Sequence, residues 1–278
     1  MDELIIFENV TYRYLESDVE AVSDIQFSVP KSQWLSIVGR NGSGKSTIGK
    51  LMNGLVQPSS GTVYVRSLPT NKESNLREIR LRVGMVFQNP EHQFVATNVR
   101  DDIAFGLENQ GVQREEMLKQ IDFYAELIGI KDLLDREPHR LSGGQKQRVA
   151  ICGVLVLEPD VLVFDESTSM LDPSGRKEVR KIMELLKSRG ITIISITHDM
   201  EEAWQADRLL VLERGQIIAD NKPIDIFNNQ DLLQRAGLQI PFVLAVQKKL
   251  IEQGIPLSAT HESEDDVLEE LWTLHSQT

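Results

Sequence analysis

The run Leu35-Ser-Ile-Val38 is short and apolar, and it leads straight into Gly39-Arg40-Asn41-Gly42-Ser43-Gly44-Lys45-Ser46-Thr47. Few folds accommodate a buried strand that passes through a glycine-rich loop into a helix, and the pattern G-x-x-x-x-G-K-[ST] has meaning only in that context. Gly42 and Gly44 let the backbone bend until successive N–H groups point inward, and the helix opening near Lys45 adds the positive end of its dipole. The product is an anion site. Lys45 is placed to reach the β- and γ-phosphates of a nucleotide, and the Ser46 hydroxyl to take a position on Mg²⁺, which prefers hard oxygen ligands. A turn that binds nothing is the alternative, and the loop's companions weigh against it.

A second apolar run, Val161-Leu-Val-Phe164, ends in two acids, Asp165 and Glu166. This suits a central parallel strand that delivers both carboxylates at its C-terminal edge. Asp165 is expected to hold the metal, through water, and Glu166 to orient and deprotonate the water that attacks the γ-phosphate. The competing reading makes one acid a helix cap or the partner of a surface lysine. A third run, Thr192-Ile-Ile-Ser-Ile-Thr197, ends at His198, so the same edge receives an imidazole. That ring is positioned to hydrogen-bond the γ-phosphate or to steady Glu166 and its water.

Leu141-Ser142-Gly143-Gly144-Gln145 opens a helical stretch, Lys146 to Leu157, with Ser142 as a natural N-cap. Two adjacent glycines cost helix stability and are better explained by close approach of another group. This is a second phosphate cradle. One nucleotide held by the first loop needs only one, so the second is expected to serve a nucleotide held by another subunit.

Together these motifs resemble the nucleotide-binding subunit of ATP-binding cassette (ABC) transporters, over about residues 4 to 220. In that family the phosphate loop of one subunit and the signature helix of the other enclose each ATP. The resemblance implies that Gln88 ligands Mg²⁺ and signals to the membrane subunits, that Ser169-Met-Leu-Asp172 crosses the dimer interface with Asp172 near the nucleotide, and that Tyr14 stacks on adenine. Gln88-Asn-Pro-Glu-His-Gln-Phe94, Asp101-Asp-Ile-Ala-Phe-Gly-Leu107 and Asp165-Glu-Ser-Thr-Ser-Met-Leu-Asp-Pro173 are similar to the ATPase subunits of energy-coupling factor transporters, prokaryotic importers of vitamins and transition metal ions. Arg40-Asn41 and Asn89 look more like the first ATPase of the pair that such transporters use. The implied partners are a second ATPase subunit, in a hetero- or homodimer, a transmembrane coupling protein and a substrate-capturing membrane protein. The implied place is the cytoplasmic face of the cell membrane.

A net charge of −12 and a pI near 5.0 repel nucleic acid and anionic lipid headgroups. No apolar run approaches the roughly 20 residues that span a bilayer, and no signal-peptide pattern opens the chain, so membrane contact is expected through protein rather than by direct insertion. The single cysteine, Cys152, has no internal partner and reads as a small buried hydrophobe.

The expected architecture is α/β: a P-loop ATPase core with an antiparallel β subdomain, an inserted helical subdomain at about 90–157 and a small C-terminal helical extension. Residues 1–222 form the ATPase domain and 223–278 the extension, a candidate dimerisation element. Ile25 to Val29 alternates strictly before Pro30, Val83 to Phe87 reads as a buried strand leading to Gln88, and Arg214-Gly215 joins a hairpin. Phe94, Val95 and Phe105 are either contacts for a membrane partner or core of the insert. Phe242, Val243, Val246 and Leu250 recur at helical spacing and are expected to be buried. Two rival functions are a chromosome-maintenance ATPase, disfavoured because only about a hundred residues separate the two halves rather than a long coiled coil, and a non-hydrolysing subunit, disfavoured by intact Glu166, His198 and signature residues. An ATPase of another ABC importer is the nearer alternative.

Overall fold

The computed structural model describes residues 3–15, 17–257, 261 and 263–276. The first strands are β1 (Glu3–Tyr12), β2 (Val22–Pro30) and β3 (Trp34–Gly39), followed by α1 (Lys45–Met52). Next come β4 (Ser60–Val65), β5 (Leu68–Pro69), α2 (Glu73–Arg82) and β6 (Val83–Val86). The insert follows as α3 (Val99–Gln110), α4 (Arg114–Ile128) and α5 (Gly143–Leu155), with a short 3₁₀ turn before α3 and two more between α4 and α5. The chain returns through β7 (Val161–Asp165), α6 (Pro173–Ser188), β8 (Thr192–Ile196), α7 (Met200–Trp204) and the β9 (Arg208–Glu213) to β10 (Gln216–Asn221) hairpin.

The three apolar runs become β3, β7 and β8 of one six-stranded sheet, ordered β10-β9-β3-β8-β7-β6, in which all neighbours but the β9–β10 pair are parallel. Every residue of β3, β7 and β8 is buried, as expected of parallel strands covered on both faces. Alternation divides their side chains: Val161 and Val163 join Ile37, Ile194 and Ile196 on one face, while Leu162, Phe164 and Ile193 pack on the other with the helical insert. Register places Ile37 beside Ile196 and Ile196 beside Asp165. The loop after β3, the acids after β7 and the histidine after β8 therefore emerge at a single edge.

The second sheet, β2-β1-β4-β5, is antiparallel throughout, and it packs its Phe7, Val10, Ile25, Phe27 and Val63 on the α1 side of the first sheet. In the insert, α5 begins at Gly143 and ends at Leu155, where 146 to 157 was expected from sequence. Ser142 closes a capping box with Gln145, so both glycines lie inside the helix; Glu158 then turns the chain through φ 54. Cys152 is fully buried, and burial pushes its thiol up to about 12.

Beyond the hairpin lie α8 (Pro223–Phe227), α9 (Gln230–Ala236), α10 (Phe242–Glu252) and α11 (Glu264–Ser276). They share a core with Val38, Trp204, Leu209 and Val211, so the extension packs on its own ATPase core. The face that α10 buries differs from expectation. Val243, Leu244 and Gln247 are inside, Val246 and Leu250 are half-buried, and Phe242 is 61% exposed because its N–H, held by the Glu201 carboxylate, fixes the helix start with the ring outward. Among the described residues no helix is long and apolar enough to cross a membrane.

Candidate active site

The loop from Gly39 to Thr47 encloses the Lys45 ammonium, which is 4% exposed. Its Nζ donates to the carbonyls of Gly39 at 3.0 Å and Arg40 at 3.2 Å and lies 3.9 Å from Glu166 Oε1. Burial pulls this ammonium below its ordinary range, while Glu166 and Asp165 act in the opposite sense. Gly44 stands at φ 102 with the Ala21 carbonyl oxygen 2.5 Å from where a Cβ would be, so only glycine fits. Ser46 donates to Asp165 Oδ1 at 2.8 Å. Burial raises the Asp165 carboxyl, opposed by that hydrogen bond and raised further by Glu166.

Glu166 adopts φ 51, a left-handed conformation uncommon for a side-chain-bearing residue, and its N–H donates to the Ile196 carbonyl at 2.8 Å. The turn aims the carboxylate between two side chains: the Lys45 ammonium on one side and, with its Nδ1 4.0 Å from Glu166 Oε2, the half-exposed His198 ring. Tyr14 stands edge-on to Tyr12, with its hydroxyl 3.2 Å from the Thr47 hydroxyl. Tyr14, Asn41, Gly42, Gly44, Lys45, Ser46, Thr47 and Glu166 line one cavity of about 330 Å³ together with Ala21. Most of the residues expected around the triphosphate are thus brought together by one chain.

The remaining expected residues stand elsewhere. Gln88 is exposed and donates to Ser169 Oγ at 3.1 Å, linking the end of β6 to the loop after Glu166. Asp172 caps α6 by accepting from the Gly175 N–H at 2.8 Å. Ser142 caps α5, accepting from the Gln145 N–H at 3.3 Å. A Cβ on Gly143 or Gly144 would make only ordinary contacts, at 3.7 Å to Leu171 and 3.6 Å to Gly175, so packing within this chain does not demand glycine at either position. A wider groove of about 510 Å³ lies between Phe94, Pro138 and Lys146 on the insert. Phe94 packs partly into the insert's core, while Val95 and Phe105 are 64% and 49% exposed.

The donor set suits a magnesium nucleotide. Among the described residues no group of three or more His, Cys, Asp or Glu side chains is arranged to hold a metal. A serine hydroxyl beside one carboxylate is the kind of site Mg²⁺ uses, since that ion keeps waters and takes phosphate oxygens for its other positions. Ser43 Oγ, in the same loop, is buried with no hydrogen-bond partner, as a polar atom awaiting a ligand would be. Sequence reasoning missed one group here. Glu202, the second of two adjacent acids that look like a solvated helix start, is 2% exposed and accepts from the Thr168 hydroxyl at 2.8 Å.

Residues 22–169 match the ABC transporter family. The chain is 50% identical over 276 residues to the energy-coupling factor transporter ATP-binding protein EcfA1 of Halalkalibacterium halodurans, covering 99% of each chain. It is 46% identical over 278 residues to the Bacillus subtilis protein of the same name, again with 99% of each covered. Among solved structures it is similar to cbiO1 from Clostridium perfringens, described as part of the ABC transporter complex cbiONQ, with TM-score 0.77, 33% identity, and 89% of this chain and 100% of that chain covered. It is also similar to MJ0796, an ATP-binding cassette solved as a dimer in a post-hydrolysis state with ADP and Pi, with TM-score 0.72, 26% identity, and 79% and 98% covered.

Proposed function

Because this chain belongs to the ABC transporter ATPases, in the branch of energy-coupling factor ATP-binding subunits, we propose that it binds and hydrolyses ATP to drive uptake of a vitamin or other micronutrient through membrane partners. The observation that carries the reading is the convergence of Lys45, Ser46, Asp165, Glu166 and His198 at the C-terminal edge of β3, β7 and β8. That edge is where ligands bind in open α/β sheets.

On this reading the loop N–H groups and Lys45 hold the β- and γ-phosphates, Thr47 and the loop residues Arg40, Asn41 and Ser43 complete the cradle, and Tyr14 takes the adenine. Lys45 now satisfies the Gly39 and Arg40 carbonyls. A triphosphate offers it stronger, charge-assisted acceptors. Ser46, Asp165 and Gln88 are the residues that would hold Mg²⁺, which would neutralise charge on the phosphates. Glu166 accepts the proton of the attacking water, and His198 steadies both the carboxylate and the γ-phosphate side.

Ser142, Gly143, Gly144 and Gln145 face a nucleotide bound by a second ATPase subunit. A capping hydroxyl that accepts from Gln145 N–H still has its own proton to donate outward, so the cap and the inter-subunit contact are compatible. The N–H groups of Gly143 and Gly144, at the start of the helix, have no partner within it and are available to the same phosphate, while that of Gln145 is held by the cap. Asp172 and Ser169 belong to the crossing loop. The groove beside Phe94 receives a transmembrane coupling protein, a substrate-capturing protein completes the assembly, and the chain sits peripherally on the cytoplasmic face of a prokaryotic membrane. Residues 1–222 act as the motor and 223–278 as the extension. The test is co-purification from membranes with ATPase assay: an assembly with integral membrane chains and ATP-driven uptake supports the reading, and a chain that hydrolyses ATP without any membrane partner refutes it.

A further inference from the structure

The carboxylate of Glu202 is sealed beneath the catalytic edge and has no role in the reading above. Burying a carboxylate is unfavourable unless its oxygens find donors, and an apolar residue of similar volume would pack in α7 without that penalty. Its donors come from the two segments that matter most. The Thr168 hydroxyl, two residues past Glu166, gives it a hydrogen bond of 2.8 Å. The Thr197 hydroxyl, immediately before His198, also interacts with it while accepting from the Asp199 N–H at 3.0 Å.

The turn after β7 needs such a tether. Glu166 holds φ 51 against its own backbone preference, so the surrounding structure must fix it. One support is the bond from its N–H to the Ile196 carbonyl. Three residues past Glu166 in the loop, the exposed Gln88 amide donates to Ser169. Between them lies the Thr168 bond, which is buried. A water-accessible bond is easily exchanged, whereas a buried one is costly to break, so the loop has a replaceable contact at Ser169 and a permanent anchor at Thr168.

We propose that Glu202 is a positioning residue, which through Thr168 and Thr197 fixes the Glu166 carboxylate relative to His198. This rests on the roles given to Glu166 and His198 above. The charged groups facing Glu202 are Asp199 and Arg180, themselves 3.9 Å apart, and Asp199 also caps α7 by accepting from the N–H groups of Glu201 and Glu202.

The test measures ATP turnover by the full-length chain in its transporter assembly, with rates read above those of the Glu166→Gln assembly. Glu202→Ala and Thr168→Val, which abolish the bond from either side, lower kcat about tenfold or more while KM for ATP changes less than about threefold, because the phosphate cradle is untouched. Glu202→Gln and Thr168→Ser keep an acceptor and a donor in place and stay within about threefold of the parent. Unchanged kcat in Glu202→Ala and Thr168→Val, or loss only in proportion to assembled protein, overturns the inference while leaving the base assignment intact. Parent-like turnover in Glu166→Gln removes that assignment and this inference with it.

Discussion

Replacing Glu202 by glutamine should make folding stability less dependent on pH, by an amount the burial of the carboxyl sets. Burial pushes Glu202 up to about 7 from an ordinary 4.5, with Asp199 adding to the shift and the Thr168 hydrogen bond and Arg180 opposing it. The sign follows from proton counting. Between those two values the folded chain holds a proton that the unfolded chain has released, so the stability this group contributes is complete below the unfolded value and is lost as pH rises through about 7. A gap of about 2.5 pK units at 1.36 kcal/mol each amounts to about 3 kcal/mol. The amide of Glu202→Gln resembles the protonated acid and cannot ionise. The variant should therefore match the parent within about 1 kcal/mol at pH 5 and exceed it by about 3 kcal/mol at pH 8. In thermal melts of the nucleotide-free chain at constant ionic strength, the gap in Tm should widen by roughly 5–10 °C over that range. A gap that stays constant from pH 5 to 8, or narrows, would refute the reasoning.

Three further outcomes follow from the site. Glu166→Gln should cut turnover by about 10² or more while nucleotide titration shows ATP binding preserved, since the amide keeps the shape and loses the base; turnover near the parent rate removes Glu166 from its role. Lys45→Ala should abolish tight ATP binding, because the cation meeting the transferring phosphoryl group is gone, and unchanged affinity by calorimetry contradicts this. Gly144→Ala should raise the melting temperature slightly, since alanine is better by up to about 1 kcal/mol in a helix and its Cβ has room, yet lower ATPase activity by obstructing approach of a nucleotide to α5. Parent-level activity in that variant would mean that nothing approaches there.

What was legible in the sequence was whatever a local pattern encodes. The strand-loop-helix at Gly39, the acids after β7, the β9–β10 hairpin and the Ser142 cap all follow from spacing over a few residues, and each stands where expected. Side-chain fates set by distant neighbours were not legible. Phe242 has the periodicity of a core residue but faces out, while Gln247 is buried because its amide bonds the Val243 carbonyl and the backbone of His261. Glu202 sits beside Glu201 in sequence, and nothing local separates the acid that tethers α10 from the one that is sealed beneath the loop. The contact between Arg40 and Gly237 is of the same kind. A guanidinium in the phosphate loop lies over the glycine that ends α9, within 2.4 Å of where a Cβ would stand, and joins positions almost two hundred residues apart.

The geometry of the single chain also bears on the proposal that one copy works only with a second subunit. Lys45 turns onto the carbonyls of its own loop, while the Gln88 N–H turns onto Ser169 and leaves the amide oxygen, the atom a metal would take, outside that bond. For Lys45, nucleotide binding would trade neutral carbonyl acceptors for charged phosphate oxygens, which strengthens the bond. The signature helix is different. Among the described residues its Gly143 and Gly144 N–H groups and the Ser142 proton have no charged partner, and the two glycines leave open the approach that side chains would narrow. On the proposed function, one face of the subunit would grip a triphosphate and another would offer donors to a triphosphate held by a second subunit. Hydrolysis would then be coupled to closure of two subunits rather than to binding by one.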